Sequence, residues 1–194
     1  AAEYGLITEA ALPVKENHVT NPFTDYGKSK LQQSKFFLSG QAQPLNFMII
    51  RPFNIYGPGM PDYLSISNFV NQIKLLNSSI GSKKKVLEVG NLEAERDFLY
   101  IDDFIQILWN LSQNFGAYND VYNVCSGQSL PLKKIVDYLI KISGEEITIE
   151  QKRDRLRKND MAIHYGSNEK ILSKLGVMEL TNWEVGLQRM FNEC

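Results

Sequence analysis

Residues 45–61 read LNFMIIRPFNIYGPGMP, and this stretch decides the fold. Its first part, 45–51, is a short apolar run of the kind that forms a buried strand. Its second part, 52–61, holds three prolines and two glycines, which disfavour regular pairing, so a loop is predicted there. The stretch therefore predicts a buried strand that runs into a rigid, irregular connection.

Strands and helices alternate on both sides of this stretch. A helix is predicted from residue 24 or 25 to about 39, with Gly40 as its stop. Further helices are predicted at 66–76, 101–113, 130–143, 167–175 and 183–191, and further strands at 86–89, 98–100, 121–124 and 147–149. One face of the helix at 101–113 carries Ile105, Leu108, Trp109 and Ser112. This alternation predicts an α/β fold.

Composition limits the classes of partner. The chain has 194 residues, 43% of them hydrophobic, and a formal net charge of −1. This balance gives no electrostatic reason to expect a nucleic acid or an anionic membrane as partner. The two cysteines and two histidines lack metal-ligand spacing, so no metal site is predicted, and such cysteines suit a reducing cytoplasm. The sequence has no apolar run of membrane-span length and no signal-peptide pattern.

The helix predicted at 24–39 carries Tyr26 and Lys30, four residues apart. This spacing places both side chains on one helix face. A free phenol, with a pKa of about 10, is a poor base at neutral pH, and a nearby ammonium favours the phenolate. Such a pair can act as a general acid/base on a sugar hydroxyl or ketone. The other interpretation is a partly buried tyrosine beside a surface lysine, and the spacing alone favours that one.

Five motifs in a fixed order favour the catalytic interpretation of Tyr26 and Lys30. They are YG (4–5), YGKSKL (26–31), RPFNIYGPG (51–59), RDFLYIDD (96–103) and YNVCSG (122–127). In this order they resemble the extended short-chain dehydrogenase/reductases, the family of nucleotide-sugar epimerases, dehydratases and reductases. The resemblance implies the C-terminal part of a Rossmann-like parallel sheet with a smaller α/β substrate-binding lobe. It also implies NAD or NADP as cofactor, a nucleotide-sugar substrate and a homodimer.

The same resemblance divides the chain. Residues 1–60 would be the C-terminal part of the dinucleotide-binding domain, and 61–194 mainly the substrate-binding lobe, with 97–125 returning to the Rossmann-like domain. The sequence contains no Gly-rich phosphate turn, and the family's catalytic serine or threonine would lie just upstream of Ala1. We therefore expect roughly the first half of the enzyme to be missing and this chain alone to be inactive.

Roles follow from the resemblance residue by residue. Tyr26 would donate the proton and Lys30 would hold the nicotinamide ribose, so both are expected to be catalytic and cofactor-binding. Phe53 would lie against the nicotinamide, and Asn54 would reach the substrate. Arg96 would hold the nucleotide diphosphate, because a guanidinium meets two phosphate oxygens at once. The alternative is that Arg96 pairs with a neighbouring acid: Glu93, Glu95, Asp97, Asp102 or Asp103.

Two further runs point to the GDP-sugar branch of the family. VGNLEAERDF (89–98) and LRKND (156–160), the latter followed by YGSN (165–168), resemble GDP-mannose dehydratases and GDP-4-keto-6-deoxymannose reductases. The resemblance implies that the GDP part is contacted by Arg157, Lys158, Asn159 and Asp160. Lys158 stands in place of the family's proline, and Asp160 in place of its glutamate. For Arg153, Arg155 and Arg157 the alternative is a solvated strand edge.

The residues before Tyr4 bear on the reaction. GDP-mannose dehydratases resemble one another in a base glutamate two residues before the matching aromatic, where this chain has Ala2; Glu3 is one place late. One place reverses the side-chain direction in an extended segment, which favours reduction or epimerisation. We therefore predict a reductase of a GDP-4-keto-6-deoxy-hexose. The alternatives are a 4-epimerase or 4,6-dehydratase and, in another class, a non-catalytic nucleotide-sugar or dinucleotide sensor.

Overall fold

The computed structural model describes residues 1–78, 84–156 and 160–193. The α-helices of these residues are α1 (Asp25–Leu38), α2 (Ser65–Ser78), α3 (Ile101–Ser112), α4 (Leu132–Ser143), α5 (Glu169–Leu175) and α6 (Trp183–Glu193). The strands are β1 (Met48–Pro52), β2 (Asn54–Tyr56), β3 (Lys85–Val89), β4 (Glu95–Arg96), β5 (Phe98–Tyr100), β6 (Asp120–Val124), β7 (Leu130–Pro131), β8 (Ile147–Gln151) and β9 (Ile163–His164). The predicted α/β class is confirmed.

Local sequence sets the ends of α1, the helix that carries Tyr26 and Lys30. Thr24 caps it, because its hydroxyl oxygen accepts a hydrogen bond from the Gly27 amide at 3.1 Å. The helix ends at Leu38, and Gly40 follows with φ +80, a backbone conformation that glycine adopts at little cost. Both ends agree with the predicted helix from residue 24 or 25 to about 39.

Parallel pairing dominates the strands. β1 pairs with β6, β2 with β5 and β3 with β8, all parallel. β4 lies between β7, to which it is antiparallel, and β9, to which it is parallel. Parallel strands need crossover connections, and here helices supply several of them. The carboxyl ends of β1 and β6 meet at the pair Pro52 and Val124, next to the predicted site residues Phe53 and Asn54.

The prediction that all of 52–61 is a loop is wrong in part. At Phe53 the chain changes its pairing partner: the Phe53 amide donates to Val124 O at 3.0 Å, and the Asn54 amide donates to Asp97 O at 3.1 Å. From there Asn54–Tyr56 forms β2 against β5. Ile55 and Tyr56 suit a strand, and the prolines at 52 and 58 confine it to a short segment.

Two larger apolar clusters and a small one hold these elements together. The largest joins α2, β3, α4, β8 and α6 and buries residues such as Ile73, Leu87 and Leu139. A second joins β1, β6, α3 and α5 around Leu111, Tyr122 and Ile171. The third joins Tyr4, Ile7, Val14, Phe53 and Cys125. The third cluster therefore ties the first residues of the chain to the segment where β1 passes into β2.

The buried face of α3 is not the face that the sequence grouped together. Ile107 and Leu111 point into the second cluster, whereas Ile105 is 57% and Trp109 is 66% exposed. Apolar residues occur on nearly every side of this helix, so the sequence period alone does not select its buried face. In the described residues, no helix combines the length and apolar character that a bilayer crossing requires.

Candidate functional site

Tyr26 and Lys30 lie together on α1, as their spacing predicts. The Lys30 ammonium nitrogen is 5.7 Å from the centre of the Tyr26 ring, within the range of a cation–π contact. Lys30 also donates a hydrogen bond to Gln33 Oε1 at 3.3 Å. Tyr26 is 66% exposed, so its hydroxyl is accessible to a bound molecule.

A cleft of about 610 Å³ gathers three predicted substrate residues and one predicted cofactor residue, Phe53, from separate parts of the sequence. Phe53, Asn54, Arg96 and Asp160 all line it. The remaining lining residues are Ile55, Met60, Tyr63, Leu64, Ser65, Asn68, Phe69, Gly90, Asn91, Phe98, Leu132 and Arg155. Tyr26 and Lys30 are not among them. Arg157, Lys158 and Asn159 lie outside the described residues.

Arg96 and Asp160, two of the predicted substrate residues, form an ion pair with each other. The distance from Arg96 Nη2 to Asp160 Oδ1 is 2.5 Å, and the two side chains are 15% and 18% exposed. Asn91 donates from its side-chain nitrogen to the second carboxylate oxygen of Asp160 at 3.2 Å. The guanidinium is therefore held at the wall of the cleft, where a diphosphate would compete with Asp160 for it.

Arg155 lines the cleft, although the sequence analysis did not include it among the predicted substrate residues. Its Nη1 donates to Asn68 Oδ1 at 3.1 Å, and its Nη2 lies 3.1 Å from Glu88 Oε2. These contacts join the segment after β8 to α2 and β3. Arg155 is exposed just after β8, as the alternative of a solvated strand edge expects, and it also lines the cleft.

Asn54 is positioned by Asp97, which the sequence suggested only as an ion-pair partner of Arg96. The Asn54 side-chain nitrogen donates to Asp97 O at 2.8 Å. The fully buried Asp97 carboxylate accepts from the Ser126 amide and hydroxyl at 2.7 and 2.8 Å, and from the amides of Gly127 and Gly166 at 3.1 and 3.3 Å. Burial raises the pKa of Asp97, although these hydrogen bonds oppose the rise. Asp97 thus fixes the loops beside Asn54.

Phe53 is held against the cleft wall by His164. The two rings stack with their centroids 5.1 Å apart and their planes at 25°. A Cβ at Gly166 would lie 2.5 Å from Phe53 Cε2, so only glycine leaves room for this ring. Within the described residues, His164 Nε2 is buried without a hydrogen-bond partner. Burial is the main reason that the pKa of His164 is lowered to about 4, and the charge of Arg96 acts in the same direction.

The depressed pKa of His164 predicts an acid-sensitive fold. The unfolded chain binds a proton at His164 below about pH 6.5, whereas the folded chain does so only near 4, so stability falls as the pH drops between these values. His164→Phe keeps the stacked ring and removes the titrating group. We expect thermal melting of this variant to depend less on pH across that window than melting of the wild type. Equal pH dependence would show that His164 titrates in the folded protein as it does in water.

Sequence reasoning also did not find a buried network of charged and polar side chains near the start of the chain. Glu3 and Arg51 form an ion pair with a 2.9 Å separation. The Ser34 hydroxyl donates to Glu3 at 2.7 Å, Arg51 Nη1 donates to Tyr4 Oη at 3.1 Å, and the Tyr4 hydroxyl donates to Asn123 Oδ1 at 2.7 Å. The network therefore connects α1, β1 and β6 through charged and polar groups.

The chain matches the model of the NAD dependent epimerase/dehydratase family over residues 1–125. It is 32% identical over 174 residues to the GDP-6-deoxy-D-mannose reductase of Pseudomonas aeruginosa, a match that covers 89% of this chain and 56% of that protein. It is 29% identical over 128 residues to the GDP-6-deoxy-D-talose 4-dehydrogenase of Aggregatibacter actinomycetemcomitans, with 66% and 41% covered. The chain thus spans about half the length of the curated relatives it matches.

Solved structures support the same assignment. The structure of RMD from Pseudomonas aeruginosa complexed with NADPH superposes with a TM-score of 0.90 at 28% identity, covering 99% of this chain and 63% of that one. The UDP-glucose 4-epimerase of Thermotoga maritima, at 21% identity and a TM-score of 0.78, covers 99% and 60% and shows the fold alone. These superpositions confirm the predicted Rossmann-like α/β fold. The chain belongs to the NAD dependent epimerase/dehydratase family.

Proposed function

We propose that this chain forms the proton-donating and nucleotide-sugar-binding part of an NAD(P)-dependent reductase that acts on a GDP-4-keto-6-deoxy-hexose. The observation that carries the proposal is the cleft, because it brings Asn54, Arg96 and Asp160 together from three separate motifs. The similarity to a GDP-6-deoxy-D-mannose reductase over 89% of the chain supports the GDP-linked substrate.

Tyr26 and Lys30 fit a nicotinamide cofactor. Lys30 offers an ammonium to ribose hydroxyls, and the exposed Tyr26 hydroxyl offers a proton beside it. When bound, reduced NAD or NADP supplies the hydride, and NADPH is the form bound to RMD of Pseudomonas aeruginosa. Tyr26 then donates its proton to the oxygen of the sugar carbonyl as that oxygen gains negative charge.

The cleft residues bind the substrate in this proposal. Arg96 holds the diphosphate bidentately after exchanging its contact with Asp160, and Asn54 binds a sugar hydroxyl from its position beside Asp97. Arg157, Lys158 and Asn159 are proposed as further contacts to the GDP part. Phe53, which lines the cleft and stacks on His164, would contact the nicotinamide.

The surroundings of Glu3 favour reduction over dehydration. A dehydratase needs a base that reaches the sugar, but the Glu3 carboxylate is buried between Arg51 and Ser34 and is 7% exposed. A carboxylate in this ion pair is not available to remove a proton from a substrate. The 4-epimerase remains the second candidate, since the fold is shared with the Thermotoga enzyme.

Cofactor turnover separates the candidates. We expect full-length protein to oxidise NADPH in the presence of GDP-4-keto-6-deoxymannose. The loss of NADPH absorbance measures this reaction. An epimerase or dehydratase returns its cofactor to the starting state, so it would convert its substrate without net oxidation. Substrate conversion without net NADPH oxidation would overturn the reductase assignment.

Arg96→Gln should weaken substrate binding selectively. Loss of charge-assisted hydrogen bonds worth about 1.5–3 kcal/mol raises the KM for the nucleotide sugar by about 10- to 100-fold. The KM for NADPH should stay unchanged, because Tyr26 and Lys30 lie on α1 and Phe53 offers only its ring, so none of the proposed cofactor contacts uses the charge of Arg96. Lys133→Gln is a matched control, since it removes one positive charge from an exposed pair with Asp137 on α4. An unchanged KM for the sugar in Arg96→Gln would exclude Arg96 as the diphosphate ligand.

The division of the chain is also a proposal. Residues 1–60 and 97–125 are assigned to the dinucleotide-binding part, supported by the shared cluster of β1, β6 and α3. Most of the remainder of 61–194 is assigned to the substrate lobe, supported by the cluster of α2, β3, α4 and α6. Helix α5 packs with the first group, so 169–175 goes with it. The homodimer and the cytoplasmic location stay predictions.

A further inference from the structure

Glu3 is a buried carboxylate that connects two elements of the proposed site. Its Oε1 accepts from the Ser34 hydroxyl on α1 at 2.7 Å, and its Oε2 accepts from Arg51 Nε on β1 at 3.0 Å. Glu3, Ser34 and Arg51 are 7%, 3% and 5% exposed. Water is therefore largely excluded from these contacts, and each carboxylate oxygen is committed to a different element.

Ser34 is placed to transmit this contact to the proposed acid/base pair. It lies four residues after Lys30 and eight after Tyr26, so the three belong to one strip of α1. The start of the same helix also meets the segment before Tyr4: a Cβ at Gly27 would lie 2.6 Å from Ala2 O. Ala2 and Glu3 thus contact α1 at two points along its axis. Two such contacts fix both the position of the helix and its rotation about its axis.

Arg51 connects the Glu3 carboxylate to the segment that carries the proposed substrate residue Asn54. It precedes Phe53 by two residues and Asn54 by three, at the end of β1. Glu3 accordingly sets the distance between the strip that bears Tyr26 and the segment that bears Asn54. Burying a carboxylate and a guanidinium is costly even when they pair, which favours a role for this pair in holding the geometry over a role in stability alone.

We propose that Glu3 is a positioning residue for the reaction: it sets α1, and with it Tyr26 and Lys30, against the Phe53–Asn54 segment. This inference rests on the proposed function of Tyr26 and Lys30. A displacement of about 1 Å at reacting groups costs on the order of 100-fold in rate. A residue that only stabilises the fold would change melting without changing kcat in the folded fraction.

The test compares Glu3→Gln and Ser34→Ala with wild-type protein, all full-length, at a temperature where each is folded. Glu3→Gln should lower kcat by about 10- to 100-fold while the KM for the nucleotide sugar stays within about twofold. Ser34→Ala, which leaves the ion pair between Glu3 and Arg51 in place, should lower kcat by several-fold. This variant provides the test if Glu3→Gln does not fold. Glu169→Gln, in an exposed pair with Lys15, is the matched control and should behave as wild type.

Hydrogen exchange provides a readout that does not depend on activity. Amides of α1 should exchange faster in Glu3→Gln, and less so in Ser34→Ala, while amides of α4 keep their wild-type rates. An inactive wild type would refute the proposed function, whereas exchange would still test the contact. Wild-type kcat in both variants, or faster exchange spread evenly over the protein, would overturn the positioning role.

Discussion

Tyr26→Phe should lower kcat by about 10²–10⁴-fold, the usual contribution of a positioned general acid. The variant keeps the aromatic ring, and with it the contact to the Lys30 ammonium 5.7 Å from the ring centre. Only the hydroxyl is lost, so substrate and cofactor binding should be retained. Steady-state kinetics with NADPH and the GDP-keto sugar measure both expectations: a large fall in kcat and a KM within about twofold of the wild type.

Tyr118→Phe is the matched control for this prediction. It also removes one tyrosine hydroxyl, which donates to Ser112 O at 3.1 Å at the end of α3, outside the proposed site. We expect wild-type kcat from it. If Tyr26→Phe retained wild-type kcat, Tyr26 would not be the acid. If it retained the full biological activity of the protein, the non-catalytic sensor would become the better explanation.

Element positions were largely predictable because the chain marks its helix ends. Thr24 and Gly40 bracket α1, and Gly144, with φ +71, follows α4 at the predicted place. The strand β2 was not predictable in the same way. Its three residues, Asn54–Tyr56, are too few for a period-two pattern, and they lie among prolines that predict a loop. Pairing with β5, more than forty residues away in sequence, decides their conformation.

Part of the cleft lining could be predicted from family motifs, whereas positions that tertiary burial decides could not. Asn54, Arg96 and Asp160 were named from motifs, and the structure places them in one cleft. Glu3, Asp97 and His164 owe their roles to neighbours distant in sequence. Asp97, for instance, accepts hydrogen bonds from Ser126 and Gly166, contacts that no local pattern indicates. A charged residue in an unpatterned segment reads as exposed until the fold is known.

Arg51→Met should destabilise the fold strongly, and the reason is the charge it leaves behind. The Arg51 and Glu3 side chains are 6% and 9% exposed, so Glu3 would become an unpaired buried carboxylate. Breaking a buried pair in this way costs about 3–5 kcal/mol. Thermal or denaturant unfolding of full-length protein measures it.

Two comparisons separate burial of charge from loss of packing. Lys15→Met breaks the exposed pair with Glu169, whose side chains are 54% and 72% exposed, and should lower the free energy of unfolding far less than Arg51→Met does. The double variant Glu3→Gln/Arg51→Met removes both charges, so it should be more stable than Arg51→Met alone by about 1–3 kcal/mol, because no unpaired buried carboxylate is left. Equal losses in the single and double variants would mean that Arg51 stabilises the fold through packing and its contacts to Tyr4 and Glu16, not through Glu3. In that case Glu3 would lose the anchor on β1 through which it is proposed to position α1.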